Sequence, residues 1–274
     1  MKKVEIFVIS KGRPNGKTSM LLSLGNVEHK IVVEPQDFDA YCKFGHSKEK
    51  LEVLPKNNRG FSYVVNFCKN KFVDNPILIL DDDIMSFFYS LDGINKCGLS
   101  LKTSEEIKQF FENFSYDILN TDFDIGTMGK SAFDWSFVDV SPKVAFPGSK
   151  IKYSSLSVCI IIKTAKCLLF DFDETLPFKS DIDYSLKCMY LGLKYAKFVK
   201  YLQQTKMNKE LKQTGGLSES YSKIENIKKV NNILLKRWPN NIIVDEKKKP
   251  LNGISELKII YKVFDDLDLS KIEA

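Results

Sequence analysis

The chain has 274 residues, 43% of them hydrophobic and 28% charged, with a formal net charge of +6. That is enough chain to bury a full core, with ordinary globular composition, and no stretch approaches the roughly 18–20 consecutive apolar residues of a membrane span, which excludes a helical membrane protein. The charge is uneven: residues 185–262 carry 17 Lys/Arg against 6 Asp/Glu, a balance of +11, so the remainder carries −5. A basic C-terminal half joined to an acidic half points to a polyanionic partner, nucleic acid first, against the plainer reading of lysine-rich helices that merely stay solvated.

Met1-Lys2-Lys3-Val4 runs straight into a strand pattern without a signal peptide. Six cysteines, at 42, 68, 97, 159, 167 and 188, show no C-x-x-C pair or zinc spacing and suit reduced thiols in the cytoplasm. The pattern over Val4–Ser10 predicts a strand, Thr18–Leu24 a helix, and Lys30–Glu34 a strand closed by Pro35. Phe38–Phe44 reads as a helix, Lys50–Leu54 as a strand before Pro55, and Gly60–Lys71 as a helix with one apolar face. Ile77–Leu80 is a fully apolar strand that runs into Asp81-Asp82-Asp83. This β-α-β-α-β-α-β order implies a parallel, right-handed, doubly wound α/β sheet.

Further on, Ser104–Tyr116 is a helix with a capping-box glutamate at Glu106, and Asp122–Ser149 looks irregular. Leu156–Ile162 reads as another buried strand, and Ser180–Leu193 as a helix with Ser180 as its N-cap. Residues 201–220 are polar and include Thr214-Gly215-Gly216, which marks a mobile loop near 205–220. Tyr221–Lys236 is a basic amphipathic helix and Glu256–Phe264 a last strand. The expected division is a catalytic core over 1–200 and a basic, mostly helical C-terminal part over 201–274 packed on it.

The acidic cluster is the first functional signal. Three acids at the C-terminal end of a buried strand lie where open α/β sheets bind ligands. Mutual repulsion demands a counter-cation, and oxygens at i and i+2 suit Mg²⁺ or Mn²⁺; a strand followed by an acidic turn is the structural alternative. Two other motifs compete. Gly12-Arg13-Pro14-Asn15-Gly16-Lys17-Thr18 has three residues where a P-loop needs four, and its proline removes an amide donor. Cys167-Leu-Leu-Phe-Asp171-Phe-Asp173-Glu-Thr-Leu-Pro177 matches the nucleophile motif of haloacid-dehalogenase phosphatases, with Asp171 as nucleophile and Asp173 as acid/base. That family starts its core with this motif, whereas here only about 100 residues follow it.

Taken together, the segments resemble glycosyltransferases of the GT-A fold, and more narrowly the TET-associated glycosyltransferases of bacteriophages, which decorate hydroxymethylated pyrimidines in DNA. The resemblance spans residues 4–262 and rests on Ile9-Ser10-Lys11-Gly12-Arg13-Pro14, Val33-Glu34-Pro35-Gln36-Asp37 with Tyr41, Leu54-Pro55 with Asn58 and Gly60, Asn66, Ile79-Leu80-Asp81-Asp82-Asp83-Ile84, Pro177-Phe178 with Asp181-Ile182-Asp183, and Thr214-Gly215-Gly216-Leu217.

The resemblance implies a GT-A-like, doubly wound, mostly parallel sheet and transfer from a UDP-sugar, glucose or arabinose, to hydroxymethylcytosine in DNA inside an infected bacterial host. A polysaccharide or protein acceptor is the alternative for the same core, and a non-catalytic DNA-binding protein is a third reading. Asp81 and Asp83 match the Asp-x-Asp metal pair for Mn²⁺ or Mg²⁺, although three acids leave the register open and Asp82 joins the donor site. Ser10, Arg13, Glu34, Asp37, Asn66, Gly215 and Gly216 would hold the nucleotide sugar, with Lys206 and Lys212 as counter-charges. Asp181 is the better-placed general base and Asp183 the second candidate, against the plain preference for acids in a helix's first turn. Lys228, Lys229, Lys236 and Arg237 would track phosphates, and Tyr221, Trp238, Phe133 and Trp135 are aromatics for stacking on a base. One departure is Val65-Asn66, where related chains carry Arg-Asn. His29 and His46 lie too early to supply a downstream metal ligand.

Overall fold

The computed structural model describes residues 2–90, 100–131, 141–145, 156, 158–205, 224–245 and 257–260. Its first half follows the sequence pattern: β1 (Glu5–Ile9), α1 (Lys17–Leu24), β2 (Lys30–Val33), α2 (Phe38–Phe44), β3 (Leu51–Val53), α3 (Phe61–Lys69) and β4 (Ile77–Asp81). After a two-residue turn come β5 (Ile84–Tyr89), α4 (Ser104–Asn120), β6 (Ile125–Lys130), β7 (Lys143–Ala145) and β8 (Cys159–Ile162). The remainder is α5 (Ser180–Tyr190), β9 (Tyr195–Thr205), α6 (Ile224–Arg237), β10 (Ile242–Val244) and β11 (Leu257–Ile259).

The main sheet has nine strands in the order β3-β2-β1-β4-β8-β6-β9-β5, with β7 also pairing β9. Its first four strands are all parallel. β8 then runs antiparallel to both β4 and β6. β6 and β9 are parallel, whereas β5 and β7 oppose β9. The sheet is therefore mixed, and the parallel expectation holds through its N-terminal half. The chain steps outward from β1 to β2 and β3 and returns across β1 to β4, so the switch point lies between β1 and β4. Ligand crevices open beyond the carboxyl ends of strands at such a point.

Strand alternation divides the core. Phe7, Ile77 and Ile79 face a layer built with Val65 and Cys68 of α3, Tyr184 and Cys188 of α5, and Val230 and Leu234 of α6. Ile6, Val8, Leu78 and Leu80 face the other way, against Leu21 and Leu22 of α1 and Ile107, Phe110, Phe111 and Phe114 of α4. The period of two seen in the sequence becomes two apolar layers, one on each face.

Several elements differ from the sequence expectations. The stretch taken as irregular contains β6, whose glycine is a packing requirement: a Cβ on Gly126 would sit 2.7 Å from the Ala196 carbonyl oxygen of β9. The polar stretch from 201 begins as the end of β9, an 11-residue strand. Helix α4 carries the expected capping box, formed by Thr103 and Glu106, but runs four residues further, to Asn120. Helix α5 is capped differently from expectation: Ser180 is already helical, and the cap is Lys179 in a left-handed conformation (φ 62°). The C-terminal part consists of α6 and the short antiparallel pair β10–β11, so it is only partly helical among the described residues. No helix among those residues is long and apolar enough to cross a membrane.

Candidate active site

Two neighbouring strand ends and the turn after the second meet at the carboxyl side of the sheet. β1 delivers Ser10, β4 delivers Asp81, and the turn after β4 carries Asp82 and Asp83. Helix α1 clamps that turn. Thr18 Oγ1 donates to the Asp81 carbonyl (2.6 Å) and accepts from Ile84 N (3.0 Å), while Thr18 N donates to the Asp82 carbonyl (3.2 Å). Close approach requires Gly16, where a Cβ would come within 3.0 Å of Asp82 Cβ. The glycine and threonine that imitate a P-loop therefore serve the acidic turn.

The three carboxylates are not equivalent. Asp82 is buried, accepts from Ser10 Oγ (2.5 Å) and pairs with Arg13 Nη2 (2.7 Å). Burial still lifts its pKa to about 6, against the lowering effect of Arg13 and Ser10. Asp81 is pushed well above the usual range by burial and by Asp83 and Asp82 beside it. Asp83 is also raised by burial, and its Oδ1 is buried with no hydrogen-bond partner among the described residues. Asp82 thus carries the ion pair to Arg13 and the Ser10 hydrogen bond, although its Oδ1, like Asp83 Oδ1, accepts no hydrogen bond, whereas Asp81 and Asp83 make no ion pair among the described residues.

Two carboxylates with an orphaned oxygen fit Mg²⁺ or Mn²⁺, which are held through one or two carboxylates plus water and substrate phosphate. Among the described residues no group of three or more His, Cys, Asp or Glu side chains is arranged for a metal. A site of that kind would rely on the ligand's own oxygens for the rest of its shell.

The loop carrying Arg13 is fastened from α2 and the turn before it. Asp37 accepts from Gly12 N (2.9 Å), Tyr41 OH accepts from Arg13 N (3.1 Å), and His46 Nε2 donates to the Pro14 carbonyl (2.6 Å). Glu34 is buried, accepts from Asn58 N (2.9 Å) and Gln36 Nε2 (2.6 Å), and pairs with Lys11 (3.2 Å). Ser10, Arg13, Glu34 and Asp37 therefore cluster at the ends of β1 and β2. Asn66 does not join them: its amide pins the Phe172 backbone from both sides, at 2.8 and 2.9 Å. Gly215 and Gly216 lie outside the described residues, as do Lys206, Lys212, Tyr221, Phe133 and Trp135.

The two candidate bases part company. Asp181, in the first turn of α5, is half-buried and lies close enough to the cluster to raise Asp81. Burial lifts its own pKa to about 6, opposed by its neighbouring backbone amides and by Lys130 and Lys179. Asp183 is fully buried on the core side of the same helix and meets Arg237 (2.9 Å), Trp238 Nε1 (2.8 Å) and Lys187 (3.1 Å). Asp183 is thus committed to core partners, which sets it apart from Asp181. Asp183→Ala would leave Trp238 Nε1 without its acceptor and Arg237 with Asp173 alone, and is expected to cost about 1–3 kcal/mol of stability, read as a lowered urea midpoint.

Arg237 is corrected in the same way. It pairs with Asp173 (2.8 Å) and Asp183 and is only 19% exposed, so it is a structural cation rather than a phosphate contact. Trp238 is buried in the core and is no platform for a base. Lys228, Lys229 and Lys236 are exposed on α6.

The phosphatase reading fails on local structure. Ala165–Leu168 is a 3₁₀ turn where that motif needs a buried strand. Asp171 is exposed and bound to buried Lys69 (2.5 Å), and Asp173 is held by Thr175 and Arg237. The segment is a strap nailed to α3 and α6. Its anchors, Asn66 and Lys69, lie more than 100 residues from their partners, and no local sequence signal reveals them.

The mixed, mostly parallel α/β sheet resembles the GT-A fold. The chain belongs to the TET-associated glycosyltransferase family, whose model matches residues 4–216, and it is a glycosyltransferase. No curated protein matches it. Among solved structures it is similar to S. aureus TarS 1–349 in complex with UDP-GlcNAc (16% identity, TM-score 0.50, 86% of this chain and 67% of that one). TarS 1–349 is also similar in a second crystal structure (16% identity, TM-score 0.48, 86% and 66%). The inositol-1-phosphate CTP transferase from T. maritima is a more distant neighbour (13% identity, TM-score 0.39, 84% and 96%). The chain spans about two thirds of the TarS chains, and the likeness is one of fold.

Proposed function

We propose that this protein transfers a sugar from a UDP-sugar to a hydroxymethylated pyrimidine, hydroxymethylcytosine first, in DNA, with Asp181 as general base. The observation that carries the reading is the division of labour in the acidic turn. Asp82 pairs with Arg13 and accepts from Ser10, whereas Asp81 and Asp83 make no ion pair among the described residues and lie next to Asp181. Membership of a family named for its association with TET enzymes supports the modified-base acceptor, and the TarS complex with UDP-GlcNAc supports a UDP-sugar in this fold.

Asp81 and Asp83 would hold Mg²⁺ or Mn²⁺, which when bound neutralises charge on a leaving diphosphate. Arg13 is fixed at the crevice by Asp82 and aims a planar cation at phosphate oxygens. Asp181 takes the proton of the acceptor hydroxymethyl group as its oxygen attacks the anomeric carbon. The bond from that carbon to the diphosphate breaks, and UDP leaves with the electron pair. A single displacement of this kind inverts the anomeric centre, so an α-linked donor yields a β-linked product.

The acceptor side rests on charge. Lys228, Lys229 and Lys236 are exposed along α6 and form a cationic stripe suited to phosphates. Mass spectrometry of hydroxymethylcytosine-containing duplex incubated with UDP-glucose, UDP-arabinose and UDP-GlcNAc tests the whole reading. A sugar-sized mass gain on the modified base is expected, and no gain with any donor counts against it. Lys229→Ala combined with Lys236→Ala is expected to weaken duplex binding and to flatten the slope of log affinity against log salt by about 2. An unchanged slope would remove α6 from the interface.

A further inference from the structure

Helix α6 lies beyond residues 4–216 matched by the family model, yet it touches α5 on both sides of Asp181. Two residues before Asp181, Lys179 donates from Nζ to Asn231 Oδ1 of α6 (2.7 Å). Two residues after it, buried Asp183 accepts from Arg237 (2.9 Å) and from Trp238 Nε1 (2.8 Å) at the end of α6. Asn231 and Trp238 are both buried, so these are interior anchors rather than surface pairs.

The backbone between the anchors gains from being held. Lys179 is a non-glycine residue at φ 62° and ψ 13°, a left-handed conformation that costs of order 1 kcal/mol and persists only when surrounding structure imposes it. Its carbonyl accepts from Ile182 N (3.1 Å) and Asp183 N (3.3 Å), which starts the helix and sets the direction of the intervening carboxylate. The side chain of the same residue is held by α6, so the strained cap and the helix start are fixed together.

We propose that Asn231 of α6 is a positioning residue for Asp181: by anchoring Lys179 it fixes the strained start of α5 and thereby the direction of the base. The proposal rests on the reading of Asp181 as base, and its test separates the two. The basic C-terminal helix then has two faces with different tasks, an inner face that aims the base and an outer face that carries Lys228, Lys229 and Lys236.

The test compares the full-length protein with Asn231→Leu, Asn231→Asp and, as a surface control on the same helix, Asn232→Ala. Amide hydrogen exchange is read in the free protein, and turnover is read with UDP-glucose and hydroxymethylcytosine duplex. Asn231→Leu is expected to speed exchange of the Ile182 and Asp183 amides by about tenfold or more while β1 and β4 stay protected. It is also expected to lower kcat by about ten- to a hundredfold, the size of effect that small misplacements produce, with KM for donor and duplex unchanged. Asn231→Asp, which keeps an acceptor for Lys179, restores most of both, and Asn232→Ala matches the wild type.

Unchanged exchange at Ile182 and Asp183 overturns the proposal whatever the substrate. If Asn231→Leu unfolds, failure of Asn231→Asp to hold the α5 amides overturns it instead. A loss carried by duplex KM alone also overturns it, because α6 would then act only as an acceptor surface. If the amides loosen and kcat falls but Asp181→Asn retains full transfer, it is the assignment of Asp181 as base that fails.

Discussion

Asp181→Asn is expected to lower kcat by about 10²- to 10⁴-fold, the range supplied by a positioned general base, while UDP binding by titration calorimetry stays within about twofold. The substitution keeps the shape of the side chain and removes only its capacity to accept a proton. The pH profile gives an independent reading. Burial raises the Asp181 pKa to about 6, so the carboxylate is ionised above that value and protonated below it. Transfer in the wild type should therefore be level near neutral pH and decline as pH falls through about 6. Asp181→Asn should lose that acid limb together with the rate. Retention of the limb at a normal rate would show that another group accepts the proton.

The second large effect concerns the acidic turn. Asp81→Asn and Asp83→Asn are each expected to weaken Mn²⁺ binding, measured without donor, by more than the roughly 10- to 100-fold that loss of an outer-shell partner costs. Asp82→Asn should retain Mn²⁺ binding and instead weaken donor binding, because Arg13 loses the partner that holds it at 2.7 Å. Equal losses of Mn²⁺ binding at all three positions would contradict this division. A stability measurement in chelator adds a sign. Asp81 is raised well above its unfolded value, so at neutral pH its ionised form costs the folded state free energy. Asp81→Asn removes that repulsion and should raise Tm in EDTA while abolishing transfer.

The order β1–α1–β2–α2–β3–α3–β4 was readable because each element obeys its own period, two for strands buried on both faces and 3.6 for helices. The same pattern placed Asp81 at a strand end and led to the switch point. β6 and β9 escaped detection for physical reasons. β6 is written Ile-Gly-Thr-Met-Gly-Lys, and its first glycine is there because the Ala196 backbone leaves no room for a side chain. β9 carries lysines among its apolar positions because both of its edges are paired while part of its faces stays partly exposed.

In the site, residue types were legible and partnerships were not. Asp181 and Asp183 look alike in sequence, and only the fold sends one to the crevice and the other to Arg237 and Trp238, more than 50 residues away. Asp82 could not be told from its neighbours until Arg13 and Ser10 were seen against it. The phosphatase-like wording at Asp171 dissolved because a motif carries chemistry only on the element that presents it, and here that strand is absent.

The ties from Lys179 to Asn231 and from Asp183 to Arg237 and Trp238 also set the order in which the protein matures on the ribosome. A chain grows at roughly 5–20 residues per second, so α6 emerges several seconds after the sheet has begun to form. Until Arg237 and Trp238 have left the exit tunnel, the crevice can be built with its acidic turn in place but without the buttress behind Asp181. The start of α5 is thus braced last, and a nascent chain arrested before α6 would have the acidic turn without the ties that hold Lys179 and Asp183.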